Sequence, residues 1–322
     1  MRHLLVLFES KEIKEITPLT EKMPDIKESS ENFYCRTNKE EYIETVTKLL
    51  THIKRGDIYE INYCIEFFAE NIVINPHKVF TRLKKLTEAP FIGIYQCGDD
   101  IILSASPERF LKREGNKLIS QPMKGTAPRG KNVADDELLK KNLAKSLKEQ
   151  TENVMALDVA RNDLSVVAKK GTVRTTELFG VQTFKNVHQM ISTVECELKE
   201  EINFEEIISV TFPPASMTGA PKISACRLIE RYELSPRNIY SGCLGMMQEN
   251  GDFDFCVVIR SIIYNPKQRR ISFHVGSAIT ASSIPETEWE ECLLKADALL
   301  KALDIDINEV VFLKNKSRLN PV

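Results

Sequence analysis

The sequence predicts an α+β fold built as one compact unit. Apolar residues recur with period two in some segments and with helical spacing in others, so both element types are written into the chain. No repeat period, low-complexity tract or linker divides it. Its 322 residues, 42% hydrophobic and 28% charged, have the composition of an ordinary globular protein with a sizeable core.

Residues 11 to 36 are polar and proline-punctuated. Thr37 followed by Glu40 then opens a helix in capping-box fashion, with Tyr42, Val46, Leu49, Leu50 and Ile53 as its stripe and Gly56 as its stop. Next, Ile61, Tyr63, Ile65 and Phe67 alternate with Glu60, Asn62, Cys64 and Glu66, the period of a half-buried strand whose polar face can line a cleft. A short helix from Pro76 to Glu88 leads to strands at Phe91 to Tyr95, Ile101 to Ala105 and Phe110 to Arg113, the last turning at Gly115-Asn116 into another. Asp135 to Leu164 reads as helical, with Leu138, Leu139, Leu143 and Leu147 at helical spacing. Further helices are expected near 203 to 210, 221 to 233 and 286 to 303, and from Lys314 the chain reads as a frayed basic tail. This gives a short N-terminal extension (1–36), a main domain (37–303) and a C-terminal tail (304–322).

Charge narrows the partners. With 44 basic and 46 acidic residues the formal charge is −2, which gives no global pull toward nucleic acid or an anionic membrane. A small molecule or another protein is expected instead. The eight cysteines (Cys35, Cys64, Cys97, Cys196, Cys226, Cys243, Cys256, Cys292) form no CxxC pair and read as reduced core residues. The "HLLVLF" run at residues 3 to 8 is too short for a signal segment or a membrane span, and a cytoplasmic location is expected.

Several constellations can carry chemistry. In "QPMKGT", Lys124 lies between an apolar Pro-Met pair and a small Gly-Thr turn, either a surface cation or a reagent. Helical spacing puts Glu149 and Glu152 on one face, and a second helix carries Glu288, Glu291 and Lys295. Facing carboxylate pairs suit a hard cation such as Mg²⁺, although spacing alone favours solvated faces with a Glu291–Lys295 ion pair. In "FPPASMTGAPK" a small-residue loop runs to Pro221 as a first helical residue, an anion-binding helix start or an ordinary cap. Arg260, after an apolar strand from Phe255 to Ile259, can grip a carboxylate bidentately. Glu108 in "SASPERF", if desolvated, can protonate a leaving group, or else pair with Arg109 or Arg113. His188 alone reads as a structural donor.

Taken in chain order, "GDIYEINYCIEF", "SASPERFL", "QPMKGT", "TENVMALDVARNDL", "VHQMIS", "FPPASMTGAPK", "DFCVVIRS" and "SSIPETEWEECLLKA" resemble the chorismate-utilising enzyme family over residues 37 to 303. The resemblance implies a layered α/β/β/α core of orthogonally packed, largely antiparallel sheets, with a Mg²⁺ ion and a chorismate-type dicarboxylate in the central cleft. It implies Glu152 and Glu291 as metal ligands, with Glu149 and Glu288 close by as outer or water-mediated ones. It further implies Gly125, Thr126, Ser216, Tyr240, Arg260, Gly276 and Lys295 around the substrate carboxylates, His188 near the ring, and Glu108 as general acid.

Three positions sort the branches. Isochorismate and salicylate synthases carry a water-activating lysine where this chain has Glu60, and anthranilate synthases carry alanine at Lys124. Asn153 replaces the histidine of "AEH". The pattern is similar to the aminodeoxychorismate synthase branch, which serves 4-aminobenzoate and folate biosynthesis. That likeness implies that Lys124 adds to the second ring carbon while the fourth-carbon hydroxyl leaves with a proton from Glu108. Ammonia then attacks the fourth carbon and expels the lysine. Such a nucleophile must be neutral, so desolvation and cationic neighbours are expected to lower its pKa. The chain shows no glutaminase Cys-His-Glu arrangement, and a separate glutamine amidotransferase subunit is expected to supply ammonia. The competing readings are anthranilate synthase component I, which Lys124 and Asn153 disfavour, and a non-catalytic chorismate-binding subunit, which needs no nucleophile. Two departures stand out: Ala278 replaces a glycine usual in the family, and only 55 residues precede the first motif, which puts a tryptophan-binding regulatory pocket in doubt.

Overall fold

The computed structural model describes residues 32–185 and 187–314. The "HLLVLF" run, most of the N-terminal extension and the tail beyond Lys314 lie outside the described residues. Helices are α1 (Lys39–Lys54), α2 (Pro76–Thr87), α3 (Val133–Lys145), α4 (Leu147–Val167), α5 (Phe204–Thr211), α6 (Lys222–Tyr232) and α7 (Pro285–Ala302). Strands are β1 (Tyr34–Cys35), β2 (Glu60–Ala69), β3 (Phe91–Cys97), β4 (Asp100–Ser106), β5 (Arg109–Glu114), β6 (Lys117–Ser120), β7 (Met123–Pro128), β8 (Arg174–Thr183), β9 (Val187–Glu197), β10 (Gly219–Ala220), β11 (Cys243–Met247), β12 (Phe253–Val257), β13 (Ser261–Asn265), β14 (Arg270–Ile279) and β15 (Val311–Phe312).

Two sheets form. One runs β15-β1-β2-β14-β13-β4-β3, with β10 also on β2; the other runs β11-β12-β5-β6-β9-β7, with β8 on β9. Among the described residues only β1 and β15 pair in parallel. Helices α1, α2, α6 and α7 pack one core against the first sheet, and α4 and α5 pack a second against the other. The result is the expected helix–sheet–sheet–helix layering. Burying Tyr42, Val46 and Leu49 completely ties α1 to its sheet, each side chain contributing about 1.5–3 kcal/mol.

Several local expectations change. Asn38, not Thr37, caps α1, because its side chain accepts the Glu41 amide at 2.9 Å. Strand β2 is buried on both faces: Ile61, Tyr63, Ile65 and Phe67 face the helices, while Glu60, Asn62, Cys64 and Glu66 face the second sheet. The single helix expected from Asp135 to Leu164 is two, split at Ser146, whose extended backbone (φ −67°, ψ 111°) ends α3 and whose hydroxyl caps α4. Of the leucine stripe only Leu143 is buried, and Leu138 and Leu147 stand exposed. Pro221 is the N-cap of α6 rather than its first helical residue, and the strand before Arg260 ends at Val257. The sheet also reaches beyond residues 37–303, since β1 pairs with β15.

Candidate active site

A cleft between the sheets is lined by β2 and β14 on one side, β7 and β9 on the other, and α4 and α7 at one end. Lys124 enters it from β7. Between Met123 and Thr126 that strand carries one residue more than the facing Ile191–Gln189 stretch of β9, a bulge that re-aims the side chains at Lys124 and Gly125. Gly125 suits this place because its φ is +93° and a Cβ there would lie 2.9 Å from Glu149 Oε2. The Lys124 side chain is 11% exposed, so it is no surface cation, and its ammonium lies 3.1 Å from Glu60 Oε1.

The charge state of Lys124 departs from the sequence expectation. Burial opposes its charge, but the carboxylates of Glu60, Glu152 and Glu108 outweigh burial and raise its pKa. Glu108, buried at the turn before β5, is pushed up to about 7 by burial, against the pull of Ser216 and Lys124. It makes no ion pair with Arg109, which is held by Asp254 at 2.8 Å.

Arg260 has a left-handed backbone (φ 50°), and burial lowers its pKa. Its guanidinium makes one long hydrogen bond, 3.5 Å to the Lys295 carbonyl, and no carboxylate among the described residues pairs with it. The neighbouring Lys295 ammonium donates to the Gly276 carbonyl at 2.8 Å and to Glu291 at 2.5 Å. The buried Ser216 hydroxyl lies beside Glu108. A buried Arg without a carboxylate partner is a site for an anion.

A family model described as chorismate binding enzyme matches residues 7–301. This chain belongs to the chorismate binding enzyme family. It is 33% identical over 273 residues to anthranilate synthase component 1 of Thermus thermophilus, covering 85% of this chain and 58% of the relative. It is 36% identical over 272 residues to an aminodeoxychorismate synthase of Streptomyces griseus, covering 84% of this chain and 37% of the relative. The crystal structure of anthranilate synthase component I from Streptococcus pneumoniae superposes with a TM-score of 0.76 at 26% identity, over 88% of this chain and 62% of that one. The chain thus spans under two thirds of the length of these relatives.

In this family member the cleft gathers Lys124, Glu108, Gly125, Thr126, Ser216, Tyr240, Arg260, Gly276, Lys295, Glu149, Glu152 and Glu291. Two expected site residues do not line it. His188 lies on the far face of β9, with its ring nitrogens 3.0 Å from Thr183 Oγ1 and 3.0 Å from Asp136 Oδ1. Strand alternation brings its neighbour Gln189 into the cleft instead. Glu288 is buried behind the cleft and accepts a hydrogen bond from Ser277.

The four glutamates stand as pairs on α4 and α7, with the Lys148 ammonium 3.8 Å from Glu152 Oε1 and 3.7 Å from Glu288 Oε1. Both of those oxygens are buried without a hydrogen-bond partner. Burial pushes Glu152 up to about 7, whereas Lys295 overcomes burial and holds Glu291 below the usual carboxylate range. Among the described residues no three acidic, histidine or cysteine side chains already converge as a cage. The donor set still fits a hard cation: it is all oxygen and includes two unsatisfied carboxylate oxygens.

Sequence reading missed Asn62, Gln189 and His274 in the cleft wall. Alternation on β2 had marked Asn62 as polar-facing, but nothing local marked the other two. Asn153, noted only as a branch marker, is completely buried and donates to the Lys124 carbonyl at 3.4 Å and the Met190 carbonyl at 3.3 Å. It pins the bulge to α4.

Proposed function

We propose that the chain converts chorismate and ammonia into 4-amino-4-deoxychorismate, with Lys124 as covalent nucleophile and Glu108 as general acid. One observation carries this reading: a buried lysine and a carboxyl with its pKa near 7 line the same cleft as an arginine that lacks a carboxylate partner. Arg260 would bind one substrate carboxylate, and its burial makes that pairing strong. Lys124 then attacks the second ring carbon as Glu108 protonates the hydroxyl leaving the fourth. With the second carbon occupied, ammonia is directed to the fourth.

Glu152 and Glu291 would hold Mg²⁺, with Glu149 and Glu288 behind them, and the ion would supply positive charge beside the second carboxylate. Ammonia would come from a glutamine amidotransferase subunit. Burial pushes Cys35, Cys64, Cys243 and Cys292 up to about 12, which leaves these thiols protonated and unsuited to glutamine hydrolysis.

The test is product analysis after incubation with chorismate, Mg²⁺ and ammonia. The native chain is expected to form 4-amino-4-deoxychorismate. Lys124→Ala opens the second carbon, so 2-amino-2-deoxyisochorismate or anthranilate should appear while the 4-amino product falls sharply. Undiminished 4-amino product from Lys124→Ala would falsify the covalent mechanism.

A further inference from the structure

We propose that Glu60 is the base that takes the proton from Lys124, a catalytic role that rests on the reading of Lys124 as nucleophile. The lysine is charged where the reaction needs a free amine, so something within reach must accept a proton. Glu60 opens β2 and is 3% exposed. Its Oε1 lies 3.1 Å from Lys124 Nζ, and among the described residues each is the other's sole ion-pair partner.

The Glu60 backbone is clamped. Strand β10 pairs with it through Ala220, and a Cβ on the neighbouring Gly219 (φ +150°) would fall 2.1 Å from the Glu60 carbonyl oxygen. Other charges face the pair: Glu152 from α4, Glu108 from the turn before β5, and Glu291 from α7, itself paired with Lys295. These act across the cleft, and only Glu60 touches the nitrogen.

The proton balance closes. Nζ gives a proton to Glu60, leaving a neutral amine beside a neutral carboxyl. When substrate displaces water from the cleft this neutral pair is favoured, because a buried ion pair loses more hydration than two neutral groups. The amine lone pair then forms the bond to the second ring carbon. Electrons move through the conjugated ring, the bond from the fourth carbon to oxygen breaks, and that oxygen leaves as water with the Glu108 proton. Ammonia next attacks the fourth carbon, the bond from Lys124 to the ring breaks, and the lysine leaves as a neutral amine. The new ring ammonium returns a proton to Glu108, and Glu60 returns its proton to Lys124.

The experiment compares Glu60→Gln and Glu60→Asp with the native chain at a fixed concentration of free ammonia from pH 7 to 9. Glutamine keeps the size and a hydrogen bond but accepts no proton, so kcat should fall about 10²-fold with KM nearly unchanged. Its residual rate should stay about level from pH 7 to 9, because the roughly tenfold-per-unit gain as solvent takes over the deprotonation offsets the loss of the Glu108 proton, whereas the native rate should fall about tenfold per unit. Glu60→Asp, a shorter base, should run at least about tenfold faster than Glu60→Gln. At pH 7, a Glu60→Gln rate within about threefold of native, or above it, overturns the proposal, as does Glu60→Asp running no faster than Glu60→Gln. If the native chain makes no 4-amino product, or Lys124→Ala makes it equally well, the underlying function has failed. With both of those controls in order, a fast Glu60→Gln removes only the role of Glu60.

Discussion

Replacing Arg237 with methionine should destabilise the protein and loosen the cleft together. Its guanidinium grips Glu233 in two places, at 2.8 and 2.6 Å, and donates to the carbonyls of Asn62 at 2.8 Å and Met217 at 2.6 Å. The two side chains are 10% and 4% exposed, so solvent screens the pair little. Methionine fills similar space but leaves the Glu233 carboxylate buried without its counter-charge, which costs about 3–5 kcal/mol. At about 2–4 °C per kcal/mol for a chain of this size, the melting temperature should drop by about 10 °C. Removing both charges, as Glu233→Met with Arg237→Met, should recover about half, because the remaining cost is the unpaired Cys64 amide that Glu233 accepts at 2.9 Å and the two carbonyls. Denaturant melts of the single and double variants measure this directly. A single-variant loss below about 1 kcal/mol, or additive losses in the double variant, would refute the reasoning.

Other outcomes follow from the same geometry. If Glu108 is the general acid proposed above, kcat/KM should decline as pH rises through about 7, and Glu108→Gln should abolish that limb while lowering the rate about 10²-fold or more. Because the folded pKa of Glu152 is raised from 4.5 to about 7, its stabilising contribution is complete below pH 4.5 and lost as pH climbs through 7. Glu152→Gln, melted without added metal, should therefore gain stability relative to the native chain between pH 5 and 8, up to about 3 kcal/mol; no pH-dependent gain refutes the shift. Added Mg²⁺ should raise the melting temperature of the native chain but not of Glu152→Ala or Glu291→Ala, and an equal rise in all three would remove these glutamates as ligands.

The identity and order of most elements were legible in the sequence because they depend on local periodicity. Alternation on β2 predicted that Glu60, Asn62, Cys64 and Glu66 share a face, and from that face Asn62 lines the cleft while Cys64 joins the second core. The pairing of Glu149 with Glu152 and of Glu288 with Glu291 followed from helical spacing in the same way. Burial did not follow, since alternation shows which residues share a face but not what covers it, and β2 is covered on both. Nor could spacing reveal the one-residue excess of β7 over β9, which is a property of two strands and not of either alone. Tertiary structure also decided the chemistry of Lys124. Local sequence surrounds it with apolar and small residues, which suggests a lowered pKa, whereas the fold brings Glu60, Glu152 and Glu108 to it from three distant segments and keeps it charged. Likewise His188 and Gln189 are adjacent in the chain, and only the direction in which β9 faces its neighbours turned Gln189 into the cleft and His188 toward Asp136. Local pattern thus determined the elements and their faces, because hydrogen bonding and side-chain period act over a few residues. The charge state of Lys124 and the membership of the cleft were decided by the tertiary fold, because electrostatics and burial act between segments far apart in the chain.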